Sequence, residues 1–146
     1  MEKSNAQPGK YGIYITIIVL AIVGIMLLWG DRPTSVTIRD ETVKIDGMYG
    51  IEIPFSDIAT VKLIEQDIRT IAPDRVRTNG FDGFGGMLKG YFQSKKLGSF
   101  MLFVDSSAPS VILIERKQNE NVYIGFADAQ ETRDTYDFIK MALQEE

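Results

Sequence analysis

Arg75, Arg77, Lys89, Lys95 and Lys96 form the main basic cluster of the chain, and Phe81 and Phe84 sit among glycines between them. Guanidinium and ammonium groups at this density bind anions. With Asp74 and Asp82 nearby, the excess is about three charges, and each contributes roughly 1 kcal/mol close to an anionic membrane. The glycines suggest a second chemistry, because successive backbone amides in such runs cradle phosphate. The spacing does not fit it. No Gly-Lys-Ser/Thr follows, and the run Asn79-Gly80-Phe81-Asp82-Gly83-Phe84-Gly85-Gly86 misses the G-x-G-x-x-G pattern before a helix. The stretch Gly80 to Gly90 reads as a mobile loop between strands, with glycines supplying positive φ. Phe81, Phe84, Met87 and Leu88 are the side chains available to enter a membrane interface or a partner pocket.

Most other chemistry is excluded by residue type. The chain has no histidine and no cysteine. Imidazole bases, Ser-His-Asp triads, thiolate nucleophiles, the usual zinc ligands and disulfides are therefore ruled out. Carboxylates occur at Asp40-Glu41, Asp105, Glu115 and Asp134-Asp137, but none has the spacing of a calcium loop. A net charge of −4 opposes general nucleic-acid binding, which needs an excess of Lys and Arg. The expectation is a non-enzyme with no catalytic residue, no cofactor and no metal.

These side chains must be positioned by what lies around them, beginning with Tyr11 to Gly30. No charged residue falls between Lys10 and Asp31. A helix of this length rises roughly 30 Å, the thickness of a bilayer's hydrocarbon core. The apolar run extends to Trp29, and Asp31-Arg32-Pro33 is a poor signal-peptidase site. A retained transmembrane helix over 11–30 is expected, after a polar leader 1–10 and before a linker 31–35. Tyr11, Tyr14 and Trp29 lie where rings prefer the headgroup level. Gly12, Thr16 and Gly24 share one face of the helix. Lys3, Lys10 and the α-amine favour a cytoplasmic leader, so the domain is expected on the extracytoplasmic side of the cell membrane.

The remainder, 36–146, is long enough for one core. Val36 to Arg39, Thr42 to Asp46, Ile51 to Ile53 and Ala59 to Glu65 alternate apolar and polar residues, the pattern of half-buried antiparallel strands. After the break from Asp67 to Lys89, in which Arg75 to Thr78 suits a short strand, strands resume at Gly90 to Ser94, Phe100 to Asp105, Val111 to Arg116 and Val122 to Phe126. Phe100, Leu102 and Val104 form one inward row, and Val122, Ile124 and Phe126 another. The period then changes. Asp128, three residues before Glu131, opens a helix in a carboxylate variant of the capping box. Thr132, Tyr136, Ile139 and Leu143 make its core stripe. The class is mainly β: seven to eight strands in a bent antiparallel barrel with a C-terminal capping helix.

The order of elements, the glycines Gly80 and Gly90 flanking the aromatic stretch, and the strand opening Gly90-Tyr91-Phe92 resemble the bacterial pleckstrin-homology (PH) domain family of small membrane-anchored proteins. The resemblance covers Val36 to Leu143 and implies a PH-like barrel and a binding role. Phosphoinositide recognition does not carry over, because the first hairpin turn, Asp46-Gly47-Met48-Tyr49-Gly50, has no basic residue. The helix also lacks the usual tryptophan, and Phe138 is its nearest large aromatic. The expected function is a single-pass, membrane-anchored scaffold that recruits a protein partner. The alternative is an interfacial module sensing anionic lipid through Arg75, Arg77, Lys89, Lys95, Lys96, Phe81 and Phe84. That alternative requires Lys89, Lys95 and Lys96 on the same side as Phe81 and Phe84.

Overall fold

Charge-free sequence becomes one long helix, α1 (Lys10–Gly30). The computed structural model describes residues 10–30, 32–83 and 85–145. Among the described residues nothing covers α1: its span Tyr11–Leu28 is apolar enough to cross a membrane and is not buried against them. Thr16 returns its hydroxyl to the Gly12 carbonyl at 2.9 Å, so its polar group is satisfied within the helix, as a lipid environment demands.

The described residues after α1 form two sheets and two α-helices. Strands β1 (Ser35–Arg39), β2 (Thr42–Asp46) and β3 (Ile51–Pro54) form an antiparallel meander. The first turn takes positive φ at both Asp40 (48°) and Glu41 (55°), the geometry that suits a two-residue hairpin. A 3-10 turn at Phe55–Asp57 leads into β4 (Ile58–Ile64). After the short helix α2 (Ile68–Ile71) come β5 (Val76–Asp82), β6 (Met87–Ser94), β7 (Gly98–Asp105), β8 (Val111–Arg116) and β9 (Asn121–Gly125). The second sheet has the order β4-β8-β9-β7-β6-β5. Helix α3 (Ala129–Gln144) closes the domain.

This second sheet is buried on both faces. Met101, Phe103, Ile112, Ile114, Val122 and Ile124 face the first sheet and α3. Phe100, Leu102, Val104, Leu113 and Tyr123 face the other way, under Ile68, Ala72 and Ala108. The two expected inward rows therefore point to opposite faces, each into its own core. Burial on both sides explains why β7, β8 and β9 read as nearly continuous apolar runs.

The mainly-β class, the apolar N-terminal helix and the C-terminal helix are as expected. The details differ. Among the described residues there are nine strands rather than seven to eight, and the two sheets do not close into a barrel. The sheet is also not wholly antiparallel, because β7 pairs with β9 in parallel. The β8–β9 hairpin inserts β9 between β8 and β7, and the chain from β7 to β8 must then cross the end of β9. Gly125 permits this. A Cβ there would stand 3.0 Å from the Ser110 carbonyl oxygen and 3.2 Å from the Ala108 methyl.

Helix α3 starts as its sequence predicts, with one change. Asp128 accepts from the Gln130 N–H at 2.8 Å, whereas Glu131 makes no return bond among the described residues. Thr132 is fully buried, and its hydroxyl accepts from the Phe126 N–H at 3.1 Å. It thereby joins the helix to the chain leaving β9. Ile139 is buried, with Tyr136, Ala142 and Leu143 packed beside it.

Candidate binding surface

The expected loop at Gly80–Gly90 is largely strand. Gly80 to Asp82 belong to β5 and Met87 to Gly90 to β6, and between them the Gly86 N–H donates to the Gly83 carbonyl at 3.0 Å. Gly80 and Gly90 lie directly opposite each other in the β5–β6 ladder, next to a register shift at Arg77/Asn79. Gly90 has φ +110°. A Cβ on it would fall 2.6 Å from the Asn79 carbonyl oxygen, and one on Gly80 would fall 2.5 Å from the Lys89 carbonyl oxygen. The glycine pair is a close backbone crossing, not a phosphate cradle.

The basic cluster is divided along this hairpin. Arg75 is half-buried, with its guanidinium on the Ala72 carbonyl at 3.2 Å. Arg77 is exposed and pairs in register with Phe92. Lys95 and Lys96 are exposed at the β6–β7 turn, where Asp74 accepts from the Lys95 N–H at 2.9 Å. These four share one end of the hairpin. Phe81 is half-buried at the other end, opposite Lys89. Val76 is opposite Gln93, so five residues, about 17 Å of strand, separate the two ends. Phe84 lies outside the described residues.

Lys89 departs most from its expected surface role. It is 1% exposed and stands on the inner face of β6, in register between Phe81 and Phe103. Its Nζ donates to the backbone carbonyl of Arg32 at 2.6 Å and sits 3.6 Å from where a Cβ on Gly47 would be. The lysine stem lies in the core and its head reaches the linker and the β2–β3 turn. A sequence signal existed: Lys89 is the sole charge in the apolar run Met87-Leu88-Lys89-Gly90-Tyr91-Phe92.

Two polar networks escaped sequence reasoning because their members are far apart in the chain. Asp57 accepts from Arg116 Nε at 2.8 Å and Asn119 Nδ2 at 3.0 Å, and its backbone carbonyl accepts from the Lys117 N–H at 2.8 Å. The Asn119 amide and the Arg116 guanidinium hold its carboxyl below the ordinary aspartate range, against partial desolvation. Glu115 accepts from the Thr60 hydroxyl at 2.7 Å and from Lys62 at 3.0 Å, and these two donors lower its pKa in the same way. Both carboxylates are committed to structure. A depressed pKa stabilises the fold above the unfolded value, near 4, and that contribution is lost as pH falls through the folded value. Asp57→Asn is therefore expected to flatten the acid side of the Tm–pH curve below about pH 4. Thermal melts of both proteins between pH 3 and 6 check this, and parallel curves would count against it.

An open cleft of about 650 Å³ lies elsewhere. Phe55, Ile58 and Leu143 form its apolar floor, while Asp40, Glu41, Lys117 and Lys140 stand around it. It occupies the gap where the chain leaves β3 for β4 and where α3 ends. Among the described residues no three His, Cys, Asp or Glu side chains converge as metal ligands would.

The stretch of sequence that forms these two sheets and the C-terminal helix matches a known family. The model of the bacterial PH domain matches residues 34–137. The chain belongs to the bacterial PH-domain family. The match begins at buried Thr34 and ends within α3, so it spans both sheets. No curated protein matches the chain, and neither does any solved structure. PH domains are in general non-catalytic binding modules, and that is the class of activity the family supports here.

Proposed function

We propose that this PH domain is a non-catalytic scaffold, held at the cell membrane by α1 as a single-pass anchor, and that it recruits a protein partner. The division is leader 1–10, membrane helix 11–30, linker 31–35 and domain 36–146, with the domain on the extracytoplasmic side. The family match directly behind an uncovered apolar helix carries this reading. The mixed lining of the 650 Å³ cleft suits a peptide or protein surface: an apolar floor for an anchor side chain and charges of both signs at the rim.

The alternative is docking onto anionic lipid. Its basic side chains Arg75, Arg77, Lys95 and Lys96 do share one end of the hairpin. The aromatic end with Phe81 is about 17 Å away, so the two halves of that site do not reinforce each other.

Two measurements test the scaffold reading. Alkaline carbonate is expected to leave the full chain in the membrane pellet, and release would remove the anchor. A photo-crosslinking residue at exposed Ala59, in the cleft, is expected to trap a discrete protein adduct in membranes. The same probe at Lys96 is expected to trap none. Salt-sensitive, micromolar binding of the anchor-free domain to anionic vesicles, abolished by Lys95→Glu with Lys96→Glu, would instead favour the lipid reading.

A further inference from the structure

The helix ends at Gly30 and β1 begins at Ser35. Four linker residues, if free, would let a domain tumble above a bilayer. They are not free. The carbonyl of Arg32 is held by the buried ammonium of Lys89 at 2.6 Å. Pro33 follows, and a residue before proline is confined to extended backbone, which narrows the conformations Arg32 can take. Thr34 is 4% exposed, packed into the domain. Ser35 then reaches Asp46 of β2 at 3.4 Å. The linker is therefore a docked strap from Arg32 onward. Only Asp31 separates that fixed point from the end of the helix, and one residue spans at most about 3.6 Å.

We propose that this strap sets which end of the domain meets the bilayer. The inference rests on reading α1 as an inserted anchor. The membrane-facing end is the one around the Lys89 ammonium: the β2–β3 turn, with Met48 37% exposed at its tip, and the neighbouring β5 end. Tyr49 of that turn reaches Asn79 of β5 at 3.4 Å, so the turn and the strand form one surface. The partner is the bilayer interface itself, met by Met48 at the exposed tip of the turn rather than by a basic patch. The opposite end carries Asp40 and Glu41, at the far end of β1. The cleft with Lys117 also lies there, and Lys95 and Lys96 close the far end of β6. The cleft is left open to the aqueous side, where a soluble partner can reach it.

The test uses the full chain in phosphatidylcholine nanodiscs. Because the sequence has no cysteine, single probes can be placed cleanly. Met48→Cys, Lys96→Cys and Gln118→Cys are each labelled with an environment-sensitive dye and quenched by headgroup spin-labelled lipid. Quenching at position 48 is expected to exceed that at 96 and 118 by about fivefold, because the docked strap holds it within a few residues' reach of the helix end. Inserting four Gly/Ser residues between Asp31 and Arg32 lengthens the tether without touching the core, and is expected to remove most of that contrast. Lys89→Met is expected to do the same by freeing the strap. The insertion variant keeps the test valid should Lys89→Met fold poorly. Equal quenching at the three positions, stronger quenching at 96 or 118, or a contrast that survives the insertion would each overturn the proposal. Carbonate release with no quenching anywhere would instead show that the anchor reading itself had failed, and the proposal with it.

Discussion

Ile139→Asp is expected to unfold the PH domain. Ile139 is fully buried where α3 meets both sheets, among Val43, Ile45 and Ile53 of the first and Val61, Ile112, Ile114 and Ile124 of the second. The substitution removes an aliphatic side chain from a close-packed site, at a cost of about 2–4 kcal/mol. It also places a carboxylate where no donor waits, which adds a penalty of about 1–3 kcal/mol even if the group stays protonated. The sum approaches the whole stability of a domain this size, about 5–15 kcal/mol. Phe138→Asp is the control. Its side chain is 44% exposed on the same helix, so the cost should stay near or below about 1 kcal/mol. Urea melts of a domain beginning at Arg32 measure both. A cooperative transition for Ile139→Asp within about 1 kcal/mol of the parent would mean that α3 does not close the core. Deleting the chain from Asp128 onward should behave like Ile139→Asp, since Tyr136, Ala142 and Leu143 are lost together.

Gly90→Ala is expected to cost about 3 kcal/mol or more, a large effect for a single methyl. Two causes add. Gly90 has φ +110°, backbone that side-chain-bearing residues rarely adopt. The new Cβ would also stand 2.6 Å from the Asn79 carbonyl oxygen and 2.7 Å from the Gly80 Cα. Both are backbone atoms and cannot rotate away, so the β5–β6 ladder must open. Gly98→Ala separates the two causes. Gly98 has φ +70° but nothing within 4 Å of an added Cβ, so its cost should be the conformational part alone, about 1 kcal/mol. If both variants melt together, the close crossing of the two strands carries no energy. Hydrogen exchange along β5 gives a second readout: Gly90→Ala should release its amides before global unfolding.

The two glycines that support the family resemblance thus have a mechanical reason to be there. They sit in consecutive strands and face each other, so the spacing from Gly80 to Gly90 was legible as a motif before its cause was known. The division of the basic cluster was legible only in part. Arg75, Lys89, Lys95 and Lys96 look equivalent as residue types, and the apolar run around Lys89 is the one local sign that sets it apart. Register decides that Lys89 stands on the inner face, and register depends on which strand lies alongside.

What the chain states by itself is local. A charge-free run from Tyr11 to Gly30 can satisfy its backbone only as a helix if it lies in lipid. Alternating residues at Val36–Arg39 and Thr42–Asp46 can bury one face only as strands. Asp128 before a 3.6-residue stripe can only cap a helix, because each of these depends on neighbours within a few positions. The insertion of β9 parallel to β7, the burial of the second sheet on both faces, the Asp57–Arg116 bridge and the docking of Lys89 on the Arg32 carbonyl were decided by the tertiary structure. Their partners are separated by about twenty to sixty residues. The free energy of each pairing exists only after the intervening chain has been folded and its loop entropy offset by the rest of the core. No window of sequence contains it.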